Sequence, residues 1–195
     1  MNTIRTTELV LALKVIKVRF EEEDFLAIST FDAHNDLMRT IILDNIRIER
    51  IIKRIAFQIL ESAHQEKSLT VFGIAPRGIW VAEQLKEAIE STSGIRVSTM
   101  LIDGDDLSTT PDLNKDIEGK LVILVDDIIN SGHTMMLCAG AIMAQKPKQM
   151  ITASLVDRKH RKFPIHCDLN GLSLATTLQE HLSLEIKPKP MIYLE

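Results

Sequence analysis

The segment Leu121-Val-Ile-Leu-Val-Asp-Asp-Ile-Ile-Asn-Ser-Gly-His-Thr134 gathers the residue types from which a phosphate site can be built. The run from Lys120 to Val125 has the unbroken apolar character of a strand buried on both faces, and it stops at two adjacent carboxylates, Asp126 and Asp127. After two apolar residues the chain turns through Asn130, Ser131, Gly132, His133 and Thr134 into helical spacing that lasts to about Gln145. A helix start offers unpaired backbone N–H groups and the positive end of a dipole. Gly132 would let the backbone approach a ligand closely, and Ser131 and Thr134 add hydroxyl donors. These parts make a cradle for a monophosphate, and the carboxylates upstream can accept hydrogen bonds from the hydroxyls of an attached sugar. The plainer alternative is a strand that ends on two acids before a serine-capped helix.

A second turn, Ala75-Pro76-Arg77-Gly78, closes another apolar run, Leu69 to Ile74. A backbone N–H and the Arg77 guanidinium there would suit a departing anion; a simple Pro-Gly strand terminator is the alternative. His133 sits at the variable position of the first loop, where its charge would make phosphate affinity depend on pH. The other histidines, among them His34, His64, His166 and His181, lack ligand spacing and suit surface or core positions. Met135, Met136, Met143 and Met150 suit core filling.

The elements that must hold these turns follow an alternating pattern. Arg39-Thr-Ile-Ile-Leu leads to Asp44-Asn45, good N-cap chemistry, and Ile48, Ile51, Ile52, Ile55, Ile59 and Leu60 then mark one face of an amphipathic helix of about five turns. Its other face carries Arg47, Arg50, Lys53 and Arg54. Strand spacing is expected over 69–74, 95–102, 120–125 and 149–156, helical spacing over 79–89 and 131–145, with short β candidates near Ile165 and Met191. The polar stretch 103–119 suits an exposed loop. The order strand, helix, strand, strand, helix, strand predicts an open, mostly parallel twisted α/β sheet flanked by helices. Residues 1–37 show no lasting period and are expected to be an N-terminal extension to a domain over 38–195.

Composition bounds the function class. With 195 residues, 45% hydrophobic, the chain can bury one sizeable core. The formal net charge is −4, which argues against coating nucleic acid by bulk positive charge. Residues 1–37 hold 4 basic and 7 acidic side chains, so the remainder is almost neutral. Within it, Arg158-Lys159-His160-Arg161-Lys162 is a local cationic run, either an RNA-facing patch or an ordinary charged turn. The two cysteines, Cys138 and Cys167, are too few for a disulfide framework and are expected as reduced core thiols. No window approaches the roughly 20 apolar residues of a membrane span, and the N-terminus makes no convincing signal peptide, so a cytoplasmic location is expected.

The succession of apolar residues, two acids, three residues and Ser-Gly-x-Thr resembles the PRPP-binding motif of the type I phosphoribosyltransferases. Ile42-Leu-Asp, Phe72-Gly-Ile-Ala-Pro-Arg-Gly-Ile, Asp105-Asp-Leu-Ser and Leu155-Val-Asp-Arg-Lys-His-Arg-Lys-Phe-Pro-Ile extend the likeness over most of 38–195. Taken together they resemble the bifunctional pyrimidine operon regulator/uracil phosphoribosyltransferase family.

The resemblance implies the type I phosphoribosyltransferase fold with a small hood, and transfer of phosphoribose from PRPP to a nucleobase, uracil. It implies Mg²⁺ bound mainly through PRPP, with Asp126 and Asp127 nearby. Asp126 and Asp127 would hold the ribose hydroxyls, Asn130 to Thr134 the 5′-phosphate, and Ala75 to Gly78 the pyrophosphate, with Arg77 on the departing charge. Asp105, Asp106, Leu107 and Ser108 would belong to a flap, and Val156, Asp157 and Ile165 to the base-recognising hood. Family flaps carry an aromatic and an Arg before Asp-Asp-Leu-Ser, where this chain has Asp103-Gly104. In the regulators, patches such as Arg158 to Lys162 bind an RNA hairpin, giving a second, nucleotide-sensing reading. A homodimer or larger assembly is also implied.

Overall fold

A computed structural model describes residues 39–106, 117–175 and 180–195. The first helix shows how the sequence becomes structure. Strand β1 (Thr40–Leu43) ends at Asp44, whose side chain accepts from the Arg47 N–H at 2.8 Å and opens α1 (Asn45–Ser62). Such a cap contributes about 1 kcal/mol. Ile48, Ile52, Ile55, Ala56 and Ile59 lie along one stripe of α1 and are buried, the spacing of three and four that the sequence predicts.

The core is a five-stranded parallel sheet in the order β3-β2-β4-β5-β6, comprising β2 (Ser68–Ile74), β3 (Arg96–Ile102), β4 (Leu121–Ile129), β5 (Gln149–Asp157) and β6 (Leu169–Ser173). Helix α2 (Gly78–Thr92) joins β2 to β3, and α3 (His133–Met143) lies between β4 and β5. Because the central strands β2, β4 and β5 are mostly buried on both faces, their residues divide between two apolar cores. Leu69, Val71, Ile123 and Val125 pack with α1 and α2, while Phe72, Ile74, Val122 and Leu124 pack with Met135, Cys138 and Ile142 of α3. A second sheet, antiparallel in the order β1-β8-β7, is formed with β7 (Leu182–Glu185) and β8 (Met191–Leu194).

Strand order places the chemistry. The chain goes from β2 to its neighbour β3, then crosses to the other side of β2 to form β4. The carboxyl ends of β2 and β4 therefore flank a topological switch point, where open α/β sheets hold their ligands.

Three expectations change. Leu169–Ser173, where no strand spacing is expected, pairs with β5 in the main sheet. No strand forms near Ile165, because this stretch is tied to the loop after β4 by side-chain and backbone bonds. Met135 is buried, but Met136 and Met143 are 41% and 52% exposed and fill no core. Among the described residues no helix is long and apolar enough to cross a membrane.

Candidate functional site

The loops after β2, β3, β4 and β5 emerge along one edge of the parallel sheet and bring together most of the site residues expected from the sequence. Glycines measure how closely they approach. A Cβ on Gly78 would lie 2.7 Å from the Val125 carbonyl and 3.3 Å from Asp126 Cα, so only glycine lets the Ala75–Gly78 turn sit directly against the end of β4. Arg77 is exposed at the head of α2, and no side-chain bond caps that helix.

Strand β4 runs on through both carboxylates to Ile129 instead of stopping before them. Pairing with β5 continues at Asp126, Ile128 and Ile129, which fixes the backbone that carries the acids. The Asp127 N–H donates to Asp126 Oδ1 at 2.9 Å. Burial, followed by the neighbouring charge of Asp127, raises the Asp126 carboxyl well above its ordinary value.

The loop closes through Gly132, which has φ +82°, a left-handed conformation natural to glycine, and stands at the N-cap of α3. No side chain caps α3 there; Ser131 Oγ instead accepts from the His133 N–H at 3.2 Å, one residue early. A small cavity of about 100 Å³ is lined by Asp126 and by Asn130 to Met135, next to the helix start. Its backbone donors and size suit a phosphate.

The segment after β5 folds back onto this loop. The Lys162 and Phe163 N–H groups donate to the Ser131 carbonyl at 2.9 and 3.2 Å, and the Phe163 ring lies 4.8 Å from that of His133. Val156 and Asp157 end β5 in buried positions, and Ile165 is half-buried beside Gly132. Asp105 and Asp106 are exposed beyond β3, whereas Leu107 and Ser108 lie outside the described residues.

The cationic run does not form one surface patch. Arg158 is only 4% exposed and donates to the Glu180 carbonyl at 2.8 Å, and Arg161 is engaged in the loop contacts. Lys159 and Lys162 are exposed, with His160 half-buried between them. The bracing role of the arginines was missed in the sequence, although the i,i+4 spacing of Asp157 and Arg161 is a signal for an ion pair. On α1, Arg54 reaches the Asn170 and Gly171 carbonyls at 2.8 and 2.9 Å, while Arg47, Arg50 and Lys53 face solvent.

Among the described residues no group of three or more His, Cys, Asp or Glu side chains is placed to hold a metal. Asp126 and Asp127 are two adjacent carboxylates, hard oxygen donors of the kind that would hold Mg²⁺. Cys138 and Cys167 are free and buried, and burial pushes their thiols up to about 12 and 11, so neither is a nucleophile.

Comparison with known proteins agrees with this geometry. The family described as Phosphoribosyl transferase domain matches residues 38–185. The Bifunctional protein PyrR of Macrococcus caseolyticus is 32% identical over 172 residues, covering 80% of this chain and 99% of the relative. That of Halalkalibacterium halodurans is 36% identical over 160 residues, covering 74% and 89%. Among solved structures, a hypoxanthine-guanine phosphoribosyltransferase of Bacillus anthracis superposes with a TM-score of 0.65 at 21% identity, covering 79% of this chain and 95% of that one. The enzyme of Leishmania tarentolae in complex with GMP gives 0.67 at 14% identity, covering 82% and 98%. At these identities the solved structures speak for the fold alone.

Proposed function

Because this chain belongs to the phosphoribosyltransferase family and resembles its bifunctional pyrimidine regulators, we propose that it moves phosphoribose from PRPP to uracil, giving UMP and pyrophosphate. The observation that carries the reading is the convergence, at the switch point, of the Asp126-Asp127 pair, the Gly132 loop and the Arg77 turn.

In this account the backbone N–H groups of Asn130 to Thr134 hold the 5′-phosphate, and Asp126 and Asp127 accept hydrogen bonds from the ribose hydroxyls. Arg77 meets the pyrophosphate. A ring nitrogen of uracil bonds to the anomeric carbon as that carbon's bond to pyrophosphate breaks, and the nitrogen's proton leaves to solvent. Positive charge grows on the ribose ring in the transition state, so orientation and charge stabilisation do the catalysis without a covalent nucleophile. Magnesium, held by PRPP with Asp126 and Asp127 nearby, would neutralise charge on the pyrophosphate. Val156, Asp157 and Ile165 would face the base, and the Asp105-Asp106-Leu107-Ser108 flap would exclude water. We assign the activity to residues 38–195, with 1–37 as an extension; the family match beginning at residue 38 supports that boundary.

Uracil is favoured over a purine by the likeness to the bifunctional regulators. A panel of free bases with PRPP and Mg²⁺, followed by pyrophosphate release, tests this choice. Turnover with uracil supports it; turnover with hypoxanthine or guanine alone replaces the substrate, and PRPP binding with no turnover removes the enzyme.

A second reading, a nucleotide-responsive RNA regulator, is favoured by one observation: Arg47, Arg50 and Lys53 lie exposed on α1. It predicts hairpin binding that weakens with salt and with R50A or K53A. No binding at low salt would remove it.

A further inference from the structure

Arg161 lies in the cationic run that the sequence offers to RNA, yet its guanidinium is engaged within the protein. Nη2 pairs with Asp157 Oδ2 at 3.0 Å, Nη1 donates to the Asn130 carbonyl at 3.0 Å, and Nε donates to the Ile165 carbonyl at 3.1 Å. One planar fork thus reaches three separate stretches of chain: the end of β5, the first residue of the loop after β4, and the segment that follows β5. Backbone bonds repeat the connection, since the Arg158 N–H donates to the Ile129 carbonyl at 3.0 Å and the Lys162 N–H to that of Ser131 at 2.9 Å. The packing is also tight, because a Cβ on Gly132 would lie 3.2 Å from Arg161 Cδ and 2.8 Å from Ile165 Cγ2.

We propose that Arg161 is a positioning residue that fixes the phosphate-binding loop and the base-facing segment as one rigid unit. A nucleoside 5′-monophosphate, which occupies both ends, then meets a site already arranged for it. This inference rests on the reading of the site as a phosphoribosyl site. Its physical basis is preorganisation: an ordered pair of loops has no ordering cost to meet when the ligand arrives. Lysine cannot reproduce the arrangement, since a single ammonium keeps its attraction to Asp157 but lacks the planar fork that serves two carbonyls as well. The Ala75–Gly78 turn is not among these partners of Arg161, so pyrophosphate binding serves as an internal control.

The test is titration calorimetry of the full chain, R161K and R161A, with UMP and with pyrophosphate in the presence of Mg²⁺, together with amide hydrogen exchange of the unliganded proteins. R161A is expected to bind UMP about ten- to a hundredfold more weakly, as loss of charge-assisted bonds implies, with R161K between it and the parent. Pyrophosphate affinity should stay within about twofold, well under the tenfold that 1.4 kcal/mol represents. Exchange should rise together at Asn130–Thr134 and Lys162–Ile165. Unchanged UMP binding in R161A overturns the proposal, and so does an equal loss of pyrophosphate, the mark of a generally loosened fold. If the parent protein binds neither UMP nor pyrophosphate, the phosphoribosyl reading fails on its own account. Exchange then decides the role of Arg161, which falls if the two segments do not respond together.

Discussion

Substituting Gly132 by alanine should destabilise the protein and weaken ligand binding together, for reasons that can be worked from two features of the residue. Its φ of +82° lies in the left-handed region, which costs an L residue about 1–2 kcal/mol. The added Cβ would lie 2.8 Å from Ile165 Cγ2, and turning Ile165 off its rotamer adds about 0.5–1.5 kcal/mol. The sum is about 1.5–3.5 kcal/mol, or a Tm lower by roughly 3–14 °C at about 2–4 °C per kcal/mol for a protein of this size.

Gly140 supplies the matched control. It lies within α3, and a Cβ there meets nothing within 4 Å, so G140A should raise stability by about 0.5–1 kcal/mol. Scanning calorimetry of the two variants gives the stability change, and UMP titration gives the functional one. G132A should lose both stability and affinity, while G140A keeps its affinity. G132A melting with the parent, or both variants shifting in the same direction, would refute the reasoning.

Four other substitutions separate stability from function. Asp126→Asn in magnesium-free buffer should stabilise the fold near neutral pH while removing PRPP binding. A carboxyl raised in the folded state binds more protons there than when unfolded, so the parent loses stability as pH rises from the ordinary carboxylate value through the raised one. A pH series of melting curves should show that slope flattened in the variant; parallel profiles would contradict it. Arg158→Ala should cost about 1–3 kcal/mol by removing a buried guanidinium and its bond to the half-buried Glu180 carbonyl, whereas Lys162→Ala, at an exposed position, should change stability by less than about 0.5 kcal/mol in urea unfolding. Arg77→Ala should leave the melting curve in place and weaken pyrophosphate about ten- to a hundredfold by calorimetry; an unchanged affinity would remove Arg77 from the site.

Much of the fold is legible in the chain because its signals are local. Asp44 before an isoleucine stripe announces α1, and apolar runs closed by Pro-Gly or Ser-Gly turns mark β2 and β4. What sequence reading lost depends on pairing over distance. That β4 extends past Asp127 follows from hydrogen bonds to β5, and that Leu169–Ser173 joins the main sheet follows from the same strand's other edge. The division of the cationic run has the same origin. Five neighbouring residues look like one patch in sequence, but Arg158 turns toward Glu180 and Arg161 toward Asn130 and Ile165, contacts that no local pattern specifies. Charge along the sequence therefore says little about which side chains reach the surface, whereas the glycines at 78 and 132 mark close approaches between segments.

The most direct test of the central claim is product formation: incubate the full chain with PRPP, Mg²⁺ and labelled uracil, and resolve the nucleotides by chromatography. UMP and pyrophosphate appearing in equal amounts, and lost in Asp127→Asn, is the predicted result. Label remaining entirely in uracil, from a protein that calorimetry shows to bind PRPP, would contradict it.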